Sequence, residues 1–261
     1  MNRYEFLKKT PELVVQRRIA LDWYANLAQI SQLSVHLIIL VCELVASVQV
    51  RGFAKNQKGG AAVLARGLKF TLGTEVVKGY GTYGQWTFGI AWTAWLGFLC
   101  ITETAPDYLH LTKRFGLIAA SQLPIHYLLA ATPLQLLLKS SYRLNMSLHK
   151  VTGNIIIAFL AVHISFYSFL FVKMGIFWQS IQQSNIKVAV ISACIFFILG
   201  ITATQFFRHR HYWWFYKLHV IGSALVLPLL FFHVHHIRTY LFESAAVLII
   251  NAVLRTFSSR G

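Results

Sequence analysis

Two apolar stretches of the chain each carry a pair of histidines at the same spacing, and this duplication restricts the fold more than any other feature. His149 and His163 form one pair, His219 and His233 the other, each a His-x13-His inside a long apolar run. On an α-helix at about 100° per residue, fourteen steps end about 40° short of four full turns, so both histidines of a pair share one face, roughly 21 Å apart along the axis. A hydrocarbon core about 30 Å thick would then hold one histidine in each leaflet. Two such helices side by side can clamp two haems, one above the other across a bilayer. A neutral imidazole nitrogen is a good ligand for haem iron, and two of them fill both axial positions. A haem so ligated has no open site for oxygen or substrate and passes single electrons.

Composition agrees with a membrane protein. Hydrophobic residues make up 56% of the chain and charged residues 12%, with a mean hydropathy of +0.57, a profile that excludes an ordinary soluble domain. The net charge of +16 would suggest nucleic acid in a soluble protein. Here the cations sit in short stretches between apolar runs, so they read as topology signals and lipid-headgroup contacts, with no nucleic-acid partner expected. Cys42, Cys100 and Cys194 lie in separate apolar segments with no metal-ligand spacing, as packed thiols do. The first residues, charged and broken by Pro11, lack the apolar core of a cleaved signal peptide.

The expected fold class is all-α, a polytopic transmembrane bundle of seven spans. An N-terminal arm over residues 1–26 leads into an extra span over 27–50, then a basic connector over 51–81. The remaining spans run over about Tyr83–Ile101, Phe115–Leu138 (containing Pro124 and Pro133), Met146–Val172, Val188–Phe207, Trp214–His236 and Leu241–Leu254. They fall within a six-helix unit over 82–257, followed by a short exit over 258–261. One span separates the two histidine-bearing helices, so they run in the same direction. His149 and His219 then share one side of the membrane, His163 and His233 the other, and each haem takes one ligand from each helix. Over half of the 24 lysines and arginines fall on the side of the 51–81 connector. This places the connector, the C-terminus and the His149/His219 site at the cytosolic face, with the N-terminus outside.

The other histidines read more plainly. His36 and His126 are expected to hydrogen-bond to a neighbouring helix. His209 and His211 lie in a basic loop and should face solvent. On a continuous helix His235 and His236 would lie about 160° and 100° off the face of His219, poor positions for ligands. Interfacial polar residues describe them better, although they could recruit a metal ion from outside. Lys113, Arg114, Arg143 and Lys150 flank the two sites and could pair with haem propionates, or act as ordinary interfacial anchors. The run Tyr212 to Tyr216 reads as an aromatic belt.

Several of these segments resemble the transmembrane haem domain of fungal ferric reductases, in the ferric reductase and NADPH oxidase superfamily. The resemblance covers about Tyr83 to Leu254. It rests on Tyr108-Leu109-His110-Leu111-Thr112-Lys113-Arg114-Phe115-Gly116, on Ala119 to Tyr127 in the third span, on Leu148-His149-Lys150 with His163, and on Phe215-Tyr216-Lys217-Leu218-His219 with His233. It implies two b-type haems, ligated by His149 with His219 (inner iron) and His163 with His233 (outer iron). It also implies electrons from NADPH through FAD, extracellular ferric or cupric chelates as acceptors, and a plasma-membrane location. The family often reads Leu-His-Arg-Trp-x-Gly-Arg at the first ligand. Val151 and Asn154 stand here at the Trp and second Arg positions. No flavin or nicotinamide-binding pattern is present in the 261 residues, so a flavin reductase domain or partner protein is expected to supply electrons. The same membrane unit would serve an oxidase that makes superoxide, or a non-catalytic haem-binding paralogue that regulates a full-length reductase.

Overall fold

The computed structural model describes residues 4–7, 10–52, 73–76, 81–132 and 141–258. Most of the 51–81 connector, the end of the expected third span with Pro133, and residues 259–261 lie outside them. The described chain is almost entirely helical, with only the isolated bridges Glu5–Asp107 and Glu75–Thr82. In order, the helices are α1 (Pro11–Gly52), α2 (Tyr83–Ile101), α3 (Tyr108–Ser121), α4 (Leu123–Ala130), α5 (Tyr142–Lys173), α6 (Phe177–Gln182), α7 (Ser184–Ala203), α8 (Gln205–Arg210), α9 (Tyr212–His233) and α10 (Arg238–Ser258). A 3₁₀ turn over His235–Ile237 joins the last two.

Local chemistry sets the starts. Thr82 and Gln85 form a capping box at α2, Asp107 accepts from the amides of Leu109 and His110 at α3, and Ser141 accepts from Leu144 at α5. Each supplies an acceptor to amides that have no carbonyl within the helix.

Five helical segments among the described residues are long and apolar enough to cross a membrane: residues 11–42 of α1, all of α5, α7 and α9, and the stretch 235–257. Two of the seven expected spans fall short of that standard. Trp86, Trp92 and Trp95 lower the mean hydropathy of α2. The third span divides at Gln122, with a proline in the first turn of the following helix, where its missing N–H costs nothing. Exposed faces are apolar, with Trp23, Ile30, Phe169, Ile201 and Phe232 pointing outward.

Helix α1 begins at Pro11, well before the expected span, so most of the supposed arm is helix. Its charges misled the sequence reading because one of them is buried by pairing. Arg17 and Asp107 are both almost fully enclosed and joined by a salt bridge, with Arg17 Nε donating to Asp107 Oδ2 at 2.7 Å. Tyr24 lies under the Arg114 guanidinium at 4.0 Å. Both contacts join residues ninety apart in sequence, so α1 and α3 run parallel. Around them Tyr24, Ala28, Trp92, Leu96, Leu99, Ile118 and Phe159 form one apolar core. A second core joins Leu117, Leu123, Ile156, Phe196, Val226, Leu230 and Leu241.

Candidate functional site

Of the histidine-bearing helices, α5 packs against α3 and α4, and α9 packs along α7. His163 faces α3 and His149 faces α4, an antiparallel arrangement that brings the opposite ends of α5 to different levels of the membrane.

At the first level, His149 and His219 lie with ring centroids 6.2 Å apart and planes at 73°. A metal–nitrogen bond of about 2 Å on each side would put two opposed imidazole centroids roughly 6 Å apart. His126 completes this level. Its ring stacks on His149 at 4.0 Å and 14°, its Nδ1 lies 3.0 Å from the Thr152 hydroxyl, and its backbone carbonyl accepts from His149 Nδ1 at 3.0 Å. The expectation of a bond to a neighbouring helix holds for His126. Its place against His149 was not foreseen, because spacing within one helix says nothing about a ring arriving from another. Gly153 makes room for it: a Cβ there would stand 3.0 Å from His126 Cε1.

At the second level, His163 Nδ1 lies 2.8 Å from the Thr112 carbonyl and His233 Nδ1 3.0 Å from the Asn185 carbonyl. The two rings are within electrostatic reach of each other. Gly116 permits the close approach of α3. A Cβ on it would stand 2.6 Å from two atoms of the His163 ring, which no real contact allows.

Three of the four paired histidines therefore place Nδ1 against a backbone carbonyl. A carbonyl can only accept, so Nδ1 carries the proton and Nε2 presents a lone pair, the arrangement by which outer-shell partners orient metal-bound imidazoles. His219 differs, since its Nδ1 is buried with no partner among the described residues. None of these carbonyls could be found in the sequence, because every residue has one. Among the described residues no three histidine, cysteine or acidic side chains gather in metal-binding geometry. Paired imidazoles suit a metal that brings its own equatorial ligands, as haem iron does.

The flanking cations divide. Arg143 and Lys150 are exposed at the start of α5, and Lys113 is half-buried. Arg114 is fully enclosed. It donates to the Leu99 carbonyl at 3.2 Å, and its Nη2 lies 2.8 Å from His110 Nε2. Two residues from Gly116, about 200° around the helix, its side chain leaves α3 on the side away from His163.

His235 and His236 follow a break in α9. Val234 is extended (φ −154°, ψ 136°), so the off-face angles of a continuous helix do not describe them. They sit on the 3₁₀ turn with centroids 3.8 Å apart. His209 and His211 are exposed. Lys217 Nζ lies 3.7 Å above the Trp213 ring in the aromatic belt. All three cysteines are free, with only Cys100 buried.

Residues 115–231 match the family described as "Ferric reductase like transmembrane component". A "Probable ferric reductase transmembrane component" of Eremothecium gossypii is 29% identical over 166 residues, covering 61% of this chain and 23% of that protein. A "Probable metalloreductase AIM14" of Candida tropicalis is 30% identical over 141 residues, covering 53% and 25%. The protein of that name in Clavispora lusitaniae is 28% identical over 181 residues, covering 66% and 34%. The chain thus spans about a quarter to a third of the length of these relatives.

Proposed function

From the match of residues 115–231 to the ferric reductase-like transmembrane family, we propose that the chain carries electrons across a membrane through two b-type haems. They reach extracellular ferric or cupric chelates. His149 and His219 hold the inner haem, His163 and His233 the outer one, in a seven-pass bundle with its N-terminus outside and its C-terminus in the cytosol. An NADPH- and FAD-bearing module, a further domain or a partner protein, supplies the electrons on the inner side.

The observation that carries this reading is the orientation of the rings. Each of His149, His163 and His233 has Nδ1 fixed on a backbone carbonyl, which leaves Nε2 free to ligate. Haem bound there supplies a one-electron couple. The chain's own residues do the rest. The carbonyls of His126, Thr112 and Asn185 hold the rings in one tautomer and one orientation. Gly116 and Gly153 let the neighbouring helices close to contact distance. The apolar walls around Phe159, Leu117 and Phe196 keep water from the path.

The test is the haem content of the purified chain. Two bis-histidine b-type haems per chain are expected, with one lost in His163→Ala. A preparation without haem, or two haems retained in that variant, overturns the reading.

A further inference from the structure

The His149 ring is held from two directions by a single residue of another helix. In its own plane, Nδ1 donates to the His126 carbonyl at 3.0 Å. On its face, the His126 imidazole stacks at 4.0 Å between centroids and 14° between planes. The in-plane bond fixes where the ring points, and the flat face against it stops the ring from turning about its Cβ–Cγ bond. The His126 ring is itself clamped by the turn of α5 that follows His149. The Thr152 hydroxyl donates to the Leu148 carbonyl at 2.9 Å, so its oxygen accepts from His126 Nδ1 at 3.0 Å. Gly153 brings the α5 backbone up to the same ring, where a Cβ would stand 3.0 Å from Cε1.

His163 and His219 have ring neighbours of a different kind. Tyr167 stands 5.0 Å from His163 at 75°, and Phe215 stands 5.2 Å from His219 at 45°. Each of these neighbours is four residues along the same helix and meets the imidazole edge-on or tilted, so neither presents a parallel face from another helix. Opposite His149, the Nδ1 of His219 is buried with no partner among the described residues, so no in-plane bond holds that ring. The first level thus pairs one clamped imidazole with one placed by its own helix alone, and their planes lie at 73°.

We propose that His126 is a positioning residue: its imidazole fixes the plane of the His149 ring, and with it the near-perpendicular pairing of His149 and His219. The inference rests on the proposed function, which puts a haem iron between those two rings. Groups behind a metal-bound imidazole orient it and so tune the metal. The plane of an axial imidazole decides which iron d orbital its π electrons enter. Parallel planes load one orbital of a pair and split the pair in energy, whereas near-perpendicular planes load both and leave them almost equal. A low-spin ferric haem of the perpendicular kind shows a single large gmax in electron paramagnetic resonance. One of the parallel kind shows a rhombic spectrum with a smaller gmax. His126 acts on the iron only through the orientation of His149.

The test is the paramagnetic resonance spectrum of the oxidised, haem-loaded chain in phosphatidylcholine nanodiscs, with the inner signal identified as the one that His149→Ala removes. A large-gmax inner signal is expected in the parent. His126→Leu keeps the backbone carbonyl and most of the side-chain volume but removes the flat face. Its inner gmax should fall and the line broaden as His149 turns, while the outer signal stays where it was and two haems per chain remain. Thr152→Val frees the His126 ring without removing it, and should displace the inner signal in the same direction by less. Thr152→Val decides if His126→Leu does not keep its inner haem. A rhombic inner signal in the parent, or an inner signal that does not move in the deciding variant, overturns the proposal. A parent without haem sinks the proposed function and this inference with it. Two haems with an unmoved inner signal sink the role of His126 alone.

Discussion

Gly116 shows how a residue with no side chain can decide where a proposed haem ligand stands. The Thr112 carbonyl orients His163 only because α3 lies against the ring, and a methyl group at position 116 would stand 2.6 Å from it. Overpacking of this kind costs about 1–3 kcal/mol, and here the ring itself must move. Gly116→Ala should therefore reduce haem content from two to one per chain by loss of the outer site, leaving the His149/His219 site occupied. An unchanged haem ratio in that variant would show that the contact does not matter. His126 gives a gentler case. Thr152→Val removes its hydroxyl partner but keeps the shape, so both haems should remain while the inner one binds more weakly, as read from haem loss during dilution. The paired histidines were legible in the sequence because their period matches a helix. Gly116, Gly153 and the stacked His126 were not, because their roles arise between helices that are distant in sequence.

Among the elements, α1 departs furthest from the sequence reading. Arg17 looked like part of a charged arm, yet it lies buried on Asp107, which also caps α3. Removing one partner of a buried pair strands the other charge, at about 3–5 kcal/mol. Asp107→Asn retains an acceptor for the α3 amides but strands Arg17, so the thermal midpoint in detergent should fall by several degrees. Adding Arg17→Met should recover most of that loss, and a double variant as unstable as the single one would refute this view. The third span was expected as one continuous helix. The structure divides it at Gln122, whose amide oxygen accepts from the Trp92 indole at 3.2 Å. The proline at 124 marked the place, but the sequence alone did not distinguish a kink from a break.

For the whole molecule, helix parity sets which histidines share a level. Contacts at a constant sequence offset make α1, α3 and α10 parallel, and the two histidine pairs fall at two levels of one bundle. This predicts that cysteines introduced at Gly175 and at Arg210 react with impermeant thiol reagents from opposite sides of the membrane. Labelling of both from one side would break the topology. The central claim is that each level holds one haem between α5 and α9. Its most direct measurement is the ratio of b-type haem to chain, with the bis-histidine spectrum, in the parent protein and in His163→Ala and His149→Ala. The account predicts two, one and one, with the surviving haem differing between the two variants. No haem in the parent, or two in either variant, would contradict it.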